Sequence, residues 1–250
     1  CMATYMPLNY TFRQLEMAHE DLLARNQHEF ADDDEIRTMI NVSRGVLPIY
    51  QEFEAPESYV MITSFPLRWI LKGVSKLYRT GVHAIIPAQR NIPAQYIDPR
   101  VKNRSRLHYR LAELEVKRHD PEAWPLLLDE DGFLTESAGA NVFTVRGDRI
   151  FTPEPRNCLC GVSRNFVLWL ARKHRIDYRE RNLGPYDILT ADEAFFTATP
   201  WCIIPISSIN GQKIGFGKLG RVTEFITDKW IEHVECDFVE QARRWDAVGT

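Results

Sequence analysis

The sequence predicts an α+β protein with a small N-terminal α/β domain and a larger, strand-rich second domain. Many short segments have the two-residue period of strands, and several longer ones have helical period. Few of them alternate as strand, helix and strand. An apolar stretch after Pro66 separates the two groups. We therefore place the small domain at residues 1–66, a linker at 67–80 and the large domain at 81–250.

The small domain is predicted to contain one helix and two strands. Residues 11–26 carry apolar side chains at helical spacing, namely Leu15, Ala18, Leu22 and Leu23. The segment EIRTMINV, residues 35–42, alternates like a half-buried strand, and a second strand is predicted from Tyr59 to Phe65.

The large domain begins with the predicted strand GVHAIIPA, followed by a proline-bearing loop. A helix is predicted from Ser105, which is a suitable N-cap. Its apolar stripe comprises Leu107, Leu111 and Leu114. WPLLLDEDGFLTE is typical of a strand, a turn and a strand, and ANVFTVRGDRIFTP of a hairpin. A helix is expected from Ser163, then strands in EAFFTAT and IIPISSI, and a closing amphipathic helix in VTEFITDKWIEHV.

Composition and charge narrow the functional classes. The chain is 44% hydrophobic and 26% charged, as in a soluble globular protein. Its net charge of -3 gives no electrostatic reason to bind nucleic acid or an anionic membrane. The five cysteines are odd in number and scattered, which favours reduced thiols and a cytoplasmic location. No secretory signal is visible at the start.

Several motifs suggest functions that their context does not support. GFGKLG matches a dinucleotide-binding fingerprint, but only 30 residues follow Gly220, too few for the rest of such a site. The Arg-Gly-Asp run at 146–148 fits a hairpin turn. Cys158 and Cys160 form a CxC pair without a second ligand pair, so we expect no metal. No GxSxG nucleophile elbow occurs.

A few residues have patterns that suggest chemistry. Glu136 is a single carboxylate within the apolar and small-residue run GFLTESAGANVF. Lys102 stands between a loop and a predicted helix start, where a solvated surface lysine is the commoner outcome. CGVSRN places Gly161, Val162 and Ser163 at a helix start, where free N–H groups suit a phosphate but a plain serine N-cap is an equally local explanation. FFTATPW ends a strand with two threonines, Thr197 and Thr199, which have ordinary structural uses as well.

The order lysine, glutamate, helix-start cradle and threonine resembles that of the class IV aminotransferases, the fold-type IV enzymes that use pyridoxal 5'-phosphate. The family includes branched-chain and D-amino-acid aminotransferases, (R)-amine transaminases and aminodeoxychorismate lyase. The resemblance covers about residues 20–235. It is strongest in DGFLTESAGANVFTVRGDRIFTP, in LCGVSRNFVLWLA and in ADEAFFTATPWCIIPISSINGQKIGFGKLGRVTEF.

The resemblance implies roles for these residues. Lys102 corresponds to the lysine that bonds the cofactor and shuttles the substrate proton, for which a buried site that lowers the amine pKa is expected. Glu136 corresponds to the carboxylate that keeps the ring nitrogen charged. The Gly161–Ser163 segment corresponds to the phosphate cradle, to which Thr199 adds a hydroxyl.

The same resemblance extends to the substrate. It implies that Ala198 contacts the substrate, and Arg37 falls where some relatives hold a substrate carboxylate, although an exposed strand arginine is an equal alternative. Branched-chain enzymes carry a tyrosine where this chain has Leu107. They also use a backbone N–H where this chain has Pro200, which has none.

The chain also departs from the family at its start. Relatives have a further strand-rich stretch with an arginine for the cofactor phosphate, and no residue here matches that arginine, so the small domain is expected to be incomplete. The resemblance implies a homodimeric transaminase that moves an amino group from an amino acid or amine to a 2-oxo acid. The alternatives are an aminodeoxychorismate lyase and a catalytically inactive relative.

Overall fold

The computed structural model describes residues 8–32, 34–45 and 58–248 of the chain. Its contacts divide the chain into two compact units, Cys1–Ile70 and Leu71–Thr250. The division falls within residues 67–80, the stretch interpreted above as a linker. The two units are described separately below.

The first unit contains a helix and an antiparallel pair of strands. Its elements are α1 (Phe12–Asn26), a single 3-10 turn (Gln27–Glu29), β1 (Ile36–Ser43) and β2 (Tyr59–Pro66). The two strands pair in full register from Ile36 opposite Pro66 to Ser43 opposite Tyr59. The predicted helix and both predicted strands are therefore confirmed to within one residue.

A capping box explains where α1 begins. The Thr11 hydroxyl accepts the Gln14 N–H at 3.3 Å, and the Gln14 side chain accepts the Thr11 N–H at 2.8 Å. This exchange satisfies two backbone donors that the first helical turn leaves open. One face of the helix is then tied to β1, because the His19 ring lies 2.7 Å from the Thr38 hydroxyl.

An eight-stranded sheet organises the second unit. Its strands are β3 (Val82–Ile85), β4 (Trp124–Pro125), β5 (Asn141–Arg146), β6 (Arg149–Thr152), β7 (Tyr178–Glu180), β8 (Glu193–Ala198), β9 (Cys202–Ile209) and β10 (Gln212–Lys213). The spatial order is β4-β3-β9-β8-β5-β6-β7, with β10 paired to β9. The central strands β5, β8 and β9 are antiparallel neighbours, whereas β3 runs parallel to both β4 and β9. The mixed α and β class is confirmed.

Helices connect these strands. They are α2 (Arg68–Leu71), α3 (Leu77–Thr80), α4 (Leu107–Lys117), α5 (Val162–Lys173), α6 (Pro185–Leu189), α7 (Arg221–Val234) and α8 (Phe238–Val248). The helix α8 was not predicted, so α7 does not close the chain. In the part of the chain that the structure describes, no helix has the length and apolarity needed to cross a bilayer.

The central strands β5 and β8 are buried on both faces, since every residue of β5 before Arg146 and every residue of β8 after Glu193 is buried. The rings of Phe143 on β5 and Phe195 on β8 stack at 4.9 Å, and both side chains are fully buried. Val167 and Leu170 of α5 are also fully buried. This apolar layer keeps the ends of β5 and β8 and the start of α5 in fixed positions.

Two details of α4 differ from the prediction. The helix begins at Leu107 with Arg106 at the N-cap position, so the predicted N-cap Ser105 lies one residue too early, and no side chain caps the helix. The predicted apolar stripe was also wrong, since its three leucines are 44–69% exposed. The buried side of α4 is formed by the smaller Ala112 and Val116, whose size lets the helix approach the sheet closely.

The GFGKLG and Arg-Gly-Asp motifs form ordinary local structure. GFGKLG is a loop that ends at Gly220, the N-cap of α7. The first turn of α7 is occupied by the Glu193 carboxylate, which accepts the N–H groups of Val222 and Thr223 at 2.9 and 2.8 Å. A phosphate would meet a like charge there. The Arg-Gly-Asp run is a hairpin turn, as predicted, with Arg146 opposite Arg149.

Candidate active site

A cavity of about 350 Å³ in the second unit brings the predicted site residues of that unit together. Four separate segments line it: the loop before α4, the loop before β5, the first turn of α5 and the end of β8. The predicted residues among them are Lys102, Glu136, Gly161, Val162, Ser163, Ala198 and Thr199. Arg37 belongs to the first unit, where its guanidinium lies 5.8 Å from the centre of the Phe65 ring. Its part in substrate binding stays a prediction.

Glu136 is the buried charge of this cavity, with 6% of its surface exposed. Its Oε1 accepts a hydrogen bond of 2.6 Å from the Tyr109 hydroxyl. Its Oε2 accepts the Leu159 N–H at 3.2 Å and the Asn141 side-chain amide at 3.5 Å. Neutral donors therefore hold this carboxylate on both oxygens.

Burial dominates the electrostatics of this carboxyl. Loss of solvent raises the pKa of Glu136, while the hydrogen bonds from Tyr109 and Leu159 and the charges of Arg106 and Lys102 act in the opposite direction. Burial also raises the pKa of Tyr109 far above its usual range, and the adjacent Glu136 reinforces the effect. Tyr109 therefore stays a neutral donor. The hydrogen bonds and nearby positive charges do not offset the cost of burying the Glu136 carboxylate.

Lys102 lies at the exposed side of the cavity, immediately before α4. Its charge lowers the pKa of Glu136, so the two groups interact across the cavity. The buried environment expected for this lysine is not what the structure shows, because its side chain is exposed.

The first turn of α5 offers unused hydrogen-bond donors. The first helical bond runs from the Asn165 N–H to the Gly161 carbonyl at 2.9 Å. Among the described residues, no acceptor meets the N–H groups of Val162, Ser163 or Arg164, and no side chain caps the helix. The serine N-cap explanation was therefore wrong, because the helix begins at Val162 with Gly161 as its N-cap. Open N–H groups and the positive end of the helix dipole suit an anion.

Glycine is required at the start of this helix by a close approach. A Cβ on Gly161 would lie 2.3 Å from the side-chain oxygen of Asn141. That amide is fixed in place, since its nitrogen donates to the Leu159 carbonyl at 2.8 Å. The absence of a side chain at 161 thus lets the helix start approach the strand that carries Asn141.

The end of β8 supplies a hydroxyl without a partner. Thr197 is buried, lines the cavity, and its Oγ1 makes no hydrogen bond to any described residue. Buried polar atoms are normally satisfied, so an unpaired hydroxyl beside a cavity indicates a bound group or water. Of the two predicted residues here, Ala198 is buried and Thr199 is exposed to solvent.

A second, larger hollow does not have these features. It measures about 600 Å³ and lies against the β5–β6 turn and α7. Two of its four arginines are in exposed ion pairs, Arg149 with Asp177 and Arg221 with Asp148. Within the described ranges, no cluster of three or more His, Cys, Asp or Glu side chains could hold a metal ion. The chemistry is therefore concentrated in the smaller cavity.

Comparison with known proteins identifies the family. Residues 1–209 match the family model of the class IV amino-transferases. The chain belongs to the class IV aminotransferase family. The expectation from its motifs is thereby confirmed.

Known class IV aminotransferases share this fold. The branched-chain-amino-acid aminotransferase of Pseudomonas aeruginosa is 38% identical over 109 residues, which are 44% of this chain and only 36% of that relative. The crystal structure of the Escherichia coli branched-chain amino acid aminotransferase has a TM-score of 0.79 and 26% identity over 92% of this chain and 74% of that one. The holo form of the Thermobaculum terrenum enzyme, which contains PLP, has a TM-score of 0.75 and 23% identity over 97% of this chain and 75% of that one. The fold-type IV prediction is confirmed.

Sequence reasoning missed several residues of this class IV site. Tyr109, Asn141 and the Leu159 N–H bind Glu136, and Arg106 covers the Tyr109 ring at 4.5 Å. None of them stands in a motif that marks such a role. The one available signal was the position of Tyr109, seven residues after Lys102.

Proposed function

We propose that this chain is a pyridoxal 5'-phosphate-dependent transaminase that moves an amino group from an amino acid or amine to a 2-oxo acid. The observation that carries the proposal is the buried carboxylate of Glu136 in one cavity with the Lys102 amine and the open N–H groups of α5. Family membership supports the same reaction class.

The residues of the cavity fit this cofactor. Glu136 is a buried carboxylate without enough positive charge, which a protonated ring nitrogen supplies. The open N–H groups at the start of α5 and the unpaired Thr197 hydroxyl are donors for a phosphate at the other end. Lys102 lines the same cavity, and its amine would bond the aldehyde of the cofactor. When bound, pyridoxal phosphate supplies an electron-withdrawing ring that stabilises negative charge at the substrate carbon.

Each residue then has a separate task. Glu136 keeps a proton on the ring nitrogen, because a buried carboxylate favours an adjacent positive charge. The amine of Lys102 takes the proton from the substrate α-carbon and returns a proton on the other side of the reaction, as a general base and then a general acid. Val162, Ser163 and Thr199 hold the phosphate, which fixes the ring relative to Lys102.

Substrate recognition and assembly follow from the same proposal. Ala198 contacts the substrate at the end of β8, and Arg37 binds a substrate carboxylate. The branched-chain relatives suggest an aliphatic amino acid as the first donor to try. Pro200 lacks the backbone N–H expected of those relatives, so a different carboxylate contact is required. We propose that the active form is a cytoplasmic homodimer.

A spectroscopic titration tests the function. Pyridoxal phosphate added to the protein should give a visible absorption band that Lys102→Ala abolishes and that the surface variant Lys117→Ala retains. The loaded protein should then convert 2-oxoglutarate to glutamate in the presence of one member of an amino-donor panel. Loss of the Lys102 amine should reduce this rate about 100- to 10,000-fold, the usual contribution of a general base. A band that persists unchanged in Lys102→Ala, or pyruvate released from aminodeoxychorismate without an added 2-oxo acid, would contradict the proposal.

A further inference from the structure

We propose that Tyr109 is a positioning residue for Glu136: its hydroxyl holds Oε1 so that a single acceptor site remains on the carboxylate for the ring nitrogen of the cofactor. This inference rests on the proposed function. It assigns a role to a residue that lies seven positions after Lys102 and that no motif marked.

The argument begins with the acceptor sites of the carboxylate. An ionised carboxylate has about four lone-pair sites, two on each oxygen. Oε2 is occupied by the Leu159 N–H and the Asn141 amide, whereas Oε1 has only the Tyr109 hydroxyl at 2.6 Å. One site on Oε1 therefore remains. A ring N–H that binds Glu136 must share Oε1 with Tyr109.

The tyrosine is itself held in place. Its ring carries the Arg106 guanidinium on one face at 4.5 Å, and the His108 ring lies 3.9 Å away between centroids. Both contacts come from the first turn of α4, which begins five residues after Lys102. The same helix start thus orients the lysine segment and the tyrosine that fixes the glutamate.

A second effect is electrostatic. The hydroxyl is a neutral donor to a buried charge, and hydrogen bonds to charged groups are stronger than those between neutral groups. Removal of the hydroxyl leaves Glu136 with fewer donors and a stronger tendency to be protonated. A protonated Glu136 cannot keep the ring nitrogen charged.

Another tyrosine provides a matched control. Tyr78 is buried, and its hydroxyl donates to the Trp201 carbonyl at 3.1 Å. Tyr78 is not among the residues that line the cavity. The change Tyr78→Phe removes the same group from the same unit without affecting Glu136.

The experiment compares two ligands on three apoproteins. Wild type, Tyr109→Phe and Tyr78→Phe are titrated with pyridoxal phosphate and with the ring analogue in which C–H replaces the nitrogen. We expect Tyr109→Phe to weaken pyridoxal phosphate binding about 10-fold or more, and to change binding of the analogue less than about 3-fold. Tyr78→Phe should affect both ligands equally. The Phe ring preserves the packing with Arg106, and circular dichroism checks the fold.

The possible outcomes separate the inference from the proposed function. An equal loss of affinity for both ligands in Tyr109→Phe would mean that the tyrosine only supports the fold, and an unchanged affinity for both would mean that it does not position Glu136. Either result overturns the inference. Failure of the wild-type protein to bind pyridoxal phosphate would instead overturn the proposed function. A Glu136→Gln variant that binds both ligands alike should lose any further effect of Tyr109→Phe.

Discussion

The substitution Val162→Pro isolates one backbone N–H of the proposed phosphate site. Val162 is the first residue of α5, the helical position at which proline is best tolerated, because its N–H takes no part in the helical bonds. The preceding Gly161 has φ -62 and ψ 143, an extended conformation that a following proline favours. The Val162 side chain is 78% exposed, so its loss removes little packing. We therefore expect the stability of the apoprotein to change by less than about 1 kcal/mol.

Val162→Pro is expected to weaken the binding of pyridoxal phosphate. One hydrogen bond to a charged group contributes about 1.5–3 kcal/mol, so the loss of one N–H should raise the Kd of pyridoxal phosphate about 10- to 150-fold. Equilibrium titration by absorbance measures this Kd. Val162→Ala is the matched control, because it removes the side chain but keeps the N–H.

A second ligand makes the prediction specific. Pyridoxal lacks the phosphate, so its affinity should be the same for wild type and Val162→Pro. The reasoning is wrong if the folded proline variant binds pyridoxal phosphate as tightly as Val162→Ala does. It is equally wrong if the variant loses pyridoxal binding by the same factor, since the N–H would then not act on the phosphate.

Two further predictions concern buried charge. Burial raises the pKa of Glu136, so its carboxyl stays protonated in the folded apoprotein at pH values where it is ionised in the unfolded chain. The free energy of unfolding therefore falls as the pH rises above 4.5, the ordinary pKa of this carboxyl. Thermal unfolding of the apoproteins should therefore show Glu136→Gln gaining stability relative to wild type as the pH rises above about 4.5, and a pH-independent difference would contradict it. Arg164 is buried, pairs with the one-third exposed Glu180 at 2.6 Å and donates to the Pro153 carbonyl at 2.8 Å, so Glu180→Ala leaves a buried guanidinium with one neutral acceptor and should cost about 1–3 kcal/mol. Arg164→Met should cost less by urea denaturation, because water can reach the remaining Glu180, and the reverse order would refute this account.

Local pattern predicted most of the elements that form the sheet. Both strands of the Asn141–Thr152 hairpin and the strands that begin at Glu193 and Cys202 have continuous apolar or alternating residues, and these strands are buried. Of the two strands predicted in WPLLLDEDGFLTE, the first is reduced to Trp124–Pro125, and the second forms only isolated bridges at Leu134 and Glu136. The strand Tyr178–Glu180 was not predicted. Segments this short have no readable period, and their pairing depends on neighbours distant in sequence.

The face of α4 shows a different limit. Helical spacing correctly indicated an amphipathic helix, but the leucines at 107, 111 and 114 are the exposed side chains. The helix packs through Ala112 instead, because a small side chain permits close approach to the sheet. Periodicity reveals that a stripe exists, whereas the choice of the buried stripe depends on the surface opposite.

The site was predicted to a similar extent. The motifs selected the lysine, the glutamate and the helix start, and the cavity contains all three. They could not select Tyr109, because its bond to Glu136 joins segments 27 residues apart in the chain. Asn141 lies only five residues after Glu136, but no motif distinguishes its amide as a partner of the carboxylate. A serine N-cap was the local alternative to a phosphate contact at Ser163, and the structure excludes that cap because Gly161 occupies the N-cap position.

These observations together explain why the site should couple cofactor binding to stability. Glu136 is buried among neutral donors, and the nearest charges, on Arg106 and Lys102, only partly oppose the effect of burial on its pKa. The helix start and the Thr197 hydroxyl are also left unsatisfied by the described residues. Each deficit is an interaction that folding leaves incomplete and that one ligand, with a cation at one end and an anion at the other, can complete. A ligand that binds only the folded state stabilises it in proportion to the logarithm of its concentration above Kd, so the unfavourable burial of Glu136 becomes part of the affinity for that ligand.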